Sequence, residues 1–120
     1  MRNETFHPEF ESDLAILEEK LGNQFDVFME RLQKEITLLH KYPVENTAKL
    51  KKPPLSLYDY RKVRFHSSDP RATSNMRLIY RYIKDTDTLQ FLAVGFRWDS
   101  PKDVYEVADD RENKDFINLW

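Results

Sequence analysis

Two apolar runs around a short polar connector, Met76–Ile83 and Leu89–Phe96 flanking Lys84–Thr88, constrain the fold more than any other part of the chain. Their β-branched and aromatic content and the polar link between them predict an antiparallel hairpin. Side chains alternate across a strand, so Met76, Leu78, Tyr80 and Tyr82 share one face of the first run, and Arg77, Ile79, Arg81 and Ile83 share the other. The second run is more apolar throughout, as in a central strand covered on both faces. It ends in Gly95-Phe96-Arg97, which brings another arginine to a strand end. Arginines on a core hairpin are an unusual choice for stability alone, and they are the first functional lead.

The rest of the chain supplies elements to cover this hairpin. Arg2–Phe6 reads as a short edge strand. Pro8 suits the first position of a helix whose stripe is Phe10, Leu14, Leu17 and Leu21. Gly22-Asn23 interrupts it, with Asn23 as the expected N-cap of a second helix from Gln24 to about Lys41. Phe25, Phe28, Met29, Leu32, Ile36 and Leu39 form the stripe of that helix, and Pro43 stops it. Val44–Pro54 reads as a loop. Leu57–His66 reads as a strand with Leu57, Val63 and Phe65 on one face and Lys62, Arg64 and His66 in a row on the other. Ser67–Asn75 is a polar turn, Asp103–Ala108 a short last strand, and Asp109–Trp120 an acidic tail with at most one or two helical turns. This order predicts an α+β fold: an N-terminal helical hairpin packed on one face of a three- to five-stranded, mainly antiparallel sheet.

At 120 residues the chain is expected to form one domain over 1–120. It has no cysteine, and His7, His40 and His66 show no ligand spacing, so neither a metal nor another cofactor is expected. No apolar run approaches the roughly 20 residues that cross a bilayer. The start MRNETFHPEFES lacks the apolar core of a signal peptide, so cytoplasm is the expected compartment, with no membrane partner. The net charge of −2 hides an asymmetry. Residues 1–40 hold 4 Lys/Arg and 9 Asp/Glu, residues 41–84 hold 11 and 3, and residues 85–120 hold 4 and 9. A basic middle between acidic ends fits either an anionic partner such as a phosphate backbone or a solvated surface with clustered signs.

The segments FHPEFESDL, AKLKK, YRKVRF, MRLIYRYI, LAVGFR and DVYEVA, in this order, resemble the RelE/ParE superfamily of bacterial type II toxins, and most closely its RelE-like branch. The resemblance implies a toxin that cleaves mRNA on the ribosome, neutralised by a cognate antitoxin in a hetero-oligomer, or itself a homo-oligomer. Its pattern places catalytic residues at Lys62, Arg64, Arg77, Arg97 and Tyr105. The turn 67–75 and the stretch between Arg97 and Tyr105 are both longer than that pattern has them.

Metal-independent RNA cleavage deprotonates a 2′-hydroxyl, stabilises a pentavalent phosphate and protonates the 5′-oxygen. Arg77, placed on an open sheet face, leads for the phosphate because a guanidinium meets two oxygens and stays cationic, and Arg97 follows. Lys62, Tyr105 and, more speculatively, His66 are candidates for proton transfer. Lys51, Lys52, His66, Arg81 and Trp98 are candidate RNA contacts, Trp98 by stacking on a base. Each also has a structural reading: solvated loop lysines, tyrosines packed with a bonded hydroxyl, Arg81 paired with a carboxylate, and Trp98 covering the core edge. Two further functions stay open, a non-enzymatic ParE-like inhibitor of DNA gyrase and a non-toxic domesticated RelE-fold binding protein.

Overall fold

The computed structural model describes residues 2–53, 55–67, 74–99 and 101–115. At its centre is the expected hairpin, strands β4 (Met76–Ile83) and β5 (Thr88–Phe96), paired antiparallel from Met76↔Phe96 to Ile83↔Thr88. One 3-10 turn, Lys84–Thr86, links them, and Asp87 closes it in the left-handed conformation (φ 50°, ψ 48°) that a short polar side chain tolerates. Strand β1 (Asn3–Phe6) lies beside β5, and strand β3 (Arg61–Phe65) beside β4. A two-residue strand β2 (Ala48–Lys49) forms the far edge, giving the order β1-β5-β4-β3-β2. β1 runs parallel to β5 while the other pairs are antiparallel, so the sheet is mixed.

Strand β5 carries a bulge: Ile79 faces Ala93 and Tyr80 faces Phe91, leaving Leu92 as an extra residue. Leu92 and Ala93 therefore join one core, whereas Leu89 and Phe91 before them and Val94 after them join the other. This reversal lets an almost continuously apolar strand serve two layers.

Helices α1 (Phe10–Leu21) and α2 (Phe25–Lys41) cover one face, packing Phe10, Leu17, Phe28, Leu32, Ile36 and Leu39 on Val63, Phe65, Leu78, Tyr80 and Phe91. Between the helices Gly22 adopts φ 57°, ψ −124°, a conformation closed to residues with a Cβ. Asn23 does not cap α2 as expected. A 3-10 turn, Gly22–Gln24, runs directly into α2, so the amino end that Asn23 would have capped is already inside a helical turn. Pro8 falls in a turn and α1 starts at Phe10. His7 is buried, and its Nδ1 accepts the Glu9 N–H at 3.1 Å.

The opposite face is covered by helix α3 (Val104–Asp115) and by Leu50, Leu55 and Tyr60, packed on Ile79, Leu92 and Ala93. The expected last strand Asp103–Ala108 is thus the first turn and a half of α3. Asp103 Oδ1 accepts the Glu106 N–H (3.0 Å) and Glu106 Oε1 the Asp103 N–H (3.3 Å), a reciprocal box that starts a helix. The expected strand Leu57–His66 shortens to β3, because Leu55–Tyr58 coil into a 3-10 turn and Asp59 (φ 61°) redirects the chain. Ala48–Lys49 pairs with β3 where a loop was expected. Residues 68–73 of the polar turn and 116–120 of the acidic tail lie outside the described residues. Among the described residues no helix is long and apolar enough to cross a membrane.

Candidate active site

Lys62 and Arg64 of β3 and Arg77 of β4 converge on the face that carries α3, while Arg61 lies on the other. Register sets Lys62 opposite Ile79 and Arg64 directly opposite Arg77. Like charges across a ladder repel, so nothing in sheet stability favours an Arg64–Arg77 pair. Arg77 is not on an open face as expected. α3 covers it, and only 2% of its surface is exposed. Its Nη1 donates to the carbonyls of Ser74 (3.2 Å) and Met76 (2.9 Å), and its Nε donates to the Tyr105 hydroxyl at 3.1 Å. Among the described residues no carboxylate pairs with it. A buried guanidinium fixed by carbonyls and a phenol keeps its charge uncompensated, which is costly unless an anion is to be met there.

Tyr105 comes from the first turn of α3, and the Lys62 ammonium lies 5.6 Å from the centre of its ring. Arg97 follows β5 and has its N–H held by the Asn75 carbonyl at 2.8 Å, while its guanidinium stacks on the Trp98 ring at 4.2 Å. α3 approaches β5 closely at Gly95. A Cβ on Gly95 would stand 3.4 Å from the Val104 Cβ. Lys51, Lys52, Lys62, Arg97 and Tyr105 line one groove of about 580 Å³, with Leu50 and Leu55 on its floor. The opposite wall is acidic, formed by Asp103, Glu106 and Asp109. Asp103 and Glu106 are committed to capping α3. Burial, and then the neighbouring carboxylates Asp110 and Asp103, push the Asp109 carboxyl above the usual range. Among the described residues these carboxylates form no ion pair with Lys62, Arg77 or Arg97.

Five predicted site residues are outside the groove lining: Arg77, buried and bonded to Tyr105, and four others. Arg64 is exposed beside Arg77. His66 is half-buried at the end of β3. Trp98 is 67% exposed and serves as a platform for Arg97, not as a cover for the core edge. Arg81 donates to Gln90 Oε1 at 2.6 Å and lies over the Tyr60 ring at 5.0 Å, engaged behind α3 and unavailable to a ligand in the groove. Tyr80 and Tyr82 take the packing role, their hydroxyls donating to the Pro43 carbonyl and to Asp87 at 2.6 Å each. Among the described residues no group of three His, Cys, Asp or Glu is placed to hold a metal ion.

Sequence reasoning missed the residues that seat α3: Asp13, Arg111, Tyr60 and Glu112. The Tyr60 hydroxyl donates to Glu112 at 2.8 Å, and burial pushes the Glu112 carboxyl up. The signal was available, since Asp103-x-x-Glu106 fits the capping box and Val104, Ala108 and Arg111 recur at helical spacing.

No protein-family model and no curated protein sequence matches the chain. Two solved structures are among those similar to it. One is the RelBE2 toxin–antitoxin complex from Mycobacterium tuberculosis, with 18% identity, a TM-score of 0.53 and coverage of 80% of this chain and 98% of that one. The other is a mutant of the Escherichia coli toxin RelE in its free state, with 24% identity, a TM-score of 0.59 and coverage of 92% and 96%. The likeness is one of fold: this chain has the α+β architecture of RelE toxins, with an N-terminal helical hairpin on a five-stranded mixed sheet.

Proposed function

We propose that this protein is the toxin of a type II toxin–antitoxin system, a single RelE-like domain that cleaves mRNA on the ribosome without a metal and is neutralised by a cognate antitoxin. The observation that carries the reading is the buried Arg77 guanidinium hydrogen-bonded to the Tyr105 hydroxyl, beside Lys62 and Arg64 and with no carboxylate partner among the described residues. The fold neighbours support the class, one being a toxin bound to its antitoxin.

In this reading Arg77 and Arg97 stabilise the charge that develops on the phosphate, from fixed positions that need little reorganisation. Tyr105 moves a proton, with its hydroxyl oriented by Arg77 Nε, and Lys62 beside its ring stabilises negative charge on the phenol oxygen or the attacking 2′-oxygen. Arg64 and the rim lysines Lys51 and Lys52 hold flanking phosphates, and Arg97 stacked on Trp98 presents a flat surface for a base. His66 and Arg81, away from the groove, have no part in the chemistry.

The acidic wall of the groove favours a second reading, a non-enzymatic ligand such as a basic protein surface, in the manner of a ParE-like gyrase inhibitor. Primer extension on cellular mRNA after expression separates the two. Cuts within codons support the nuclease, whereas intact mRNA with supercoiling defects supports the inhibitor. Arg77→Ala and Arg97→Ala should each abolish growth arrest at equal soluble level, and retained toxicity in either removes that residue from the mechanism.

A further inference from the structure

Beyond Phe6 the sheet loses its outer strand. β1 ends opposite Phe91, where the His7 N–H donates to the Phe91 carbonyl at 2.8 Å, yet β5 continues to Phe96. The next edge groups of β5 are met by side chains. Asp13 Oδ2 on α1 accepts the Val94 N–H at 3.1 Å, and Arg111 Nη1 on α3 donates to the Leu92 carbonyl at 2.7 Å. These two side chains also bind each other through both ends of the fork, Nη1 to Oδ2 at 2.8 Å and Nη2 to Oδ1 at 2.6 Å. Arg111 Nη2 further donates to the Glu9 carbonyl at 3.1 Å. Both are buried, at 7% and 6% exposure. A carboxylate and a guanidinium thus replace a missing strand at the bulge, and in doing so join α1, β5 and α3.

α3 needs such an anchor. Its apolar contacts are few, Val104 and Ala108 buried with Tyr105 and Val107 partly buried beside them, and the rest of the helix is polar or charged. So short an apolar stripe fixes neither rotation nor register, whereas a bidentate fork fixes both. A buried ion pair is a weak source of stability compared with apolar packing, and its better-attested use is to specify one arrangement. Less than two turns separate Arg111 from Tyr105 on this helix. Neither Asp13 nor Arg111 lines the cationic groove, so any effect on it passes through α3.

We infer that Asp13 and Arg111 are a positioning pair that seats α3 on β5 and thereby holds the Tyr105 hydroxyl against Arg77. Its catalytic consequence rests on the nuclease reading, while the positioning itself does not. The test uses the full chain with 3-fluorotyrosine at position 105 alone, and compares the parent with Arg77→Lys, Asp13→Asn and the double variant Asp13→Asn/Arg111→Gln. Asp13→Asn should shift the fluorine resonance in the same direction as Arg77→Lys. It should also raise amide exchange in α3 at least roughly tenfold while β4 stays protected. The double variant leaves no charge buried alone and serves where Asp13→Asn does not fold. A resonance unmoved in the folded variant overturns the inference.

On mRNA-programmed ribosomes the double variant should lower the maximal single-turnover rate roughly 10²-fold with the half-saturating concentration unchanged. The same change in a Tyr105→Phe background should cost nothing further. An equal loss in both backgrounds makes the pair merely structural and sinks the proposal. A parent that cleaves no mRNA refutes the nuclease reading and leaves the fluorine spectrum to decide on positioning.

Discussion

Arg77 is anchored by three hydrogen bonds from two of its nitrogens, two from Nη1 to carbonyls and one from Nε to a phenol. A lysine offers a point charge on a flexible stem and cannot reproduce that fork. On the nuclease reading, Arg77→Lys should therefore lose roughly 10²- to 10³-fold in single-turnover cleavage, the scale of one lost charge-stabilising donor, while circular dichroism stays that of the parent. A rate within a few-fold of the parent would show that only the charge matters. Tyr105→Phe removes the proton-bearing oxygen and leaves the ring under Lys62, so its loss should fall in the roughly 10²- to 10⁴-fold range of general acid–base catalysis. Gly22 carries a different demand, purely of the backbone. With φ 57° and ψ −124°, and open space around its missing Cβ, Gly22→Ala meets no neighbour yet costs about 1–3 kcal/mol in backbone strain. A urea midpoint equal to the parent's would show that the α1–α2 link relaxes freely.

Among the elements, α3 decides whether the basic face becomes a groove. Arg111→Ala would leave the Asp13 carboxylate buried without its counter-ion, and such a loss costs about 3–5 kcal/mol; equilibrium denaturation measures it, and a cost below 1 kcal/mol would mean that water repairs the gap. The sequence announced β4, β5, the two N-terminal helices and the cations of the shared face, because strand alternation and helical stripes are local periodicities. α3 escaped for a physical reason. Val104-Tyr105-Glu106-Val107 has the β-branched and aromatic content of a strand, and the helix is fixed less by its own pattern than by contacts with Asp13 and Tyr60, far away in the chain. The bulge at Leu92 was likewise invisible, since in a mostly apolar run an extra residue changes no alternation that could be read. Arg77 could be put on the correct face by parity alone, but its burial depended on the element that was misassigned.

At the scale of the whole molecule, burial pushes four carboxyls upward, those of Asp13, Glu35, Asp109 and Glu112, and all but Glu35 lie on α3 or on its anchor. A carboxyl with a raised folded pKa binds its proton more readily in the fold. Its contribution to stability is fully present below the ordinary carboxylate range and is lost as pH rises through the raised value. Asp87 works in the opposite sense: the Tyr82 hydroxyl and Arg2 hold its carboxyl low, so its contribution is lost as pH falls. Setting aside Asp13, whose ionised form the Arg111 fork holds, these buried carboxyls should make the domain more stable near pH 5 than near pH 8, as denaturation midpoints at the two values would measure. Glu112→Gln, which keeps an acceptor for the Tyr60 hydroxyl, should narrow the difference between denaturation midpoints at the two pH values; an undiminished difference would clear Glu112 of any part in it.

The two kinds of contact that meet on β5 form on different schedules. The hairpin with β4 closes through a three-residue turn, whereas the Asp13–Arg111 fork joins positions 98 apart. A ribonuclease with this wiring would acquire its sheet early and its reactive cleft last. On the nuclease reading, the cleft is then the part of the molecule with the longest loop to close, and a change at either end of the fork would leave the sheet in place while unmaking the cleft.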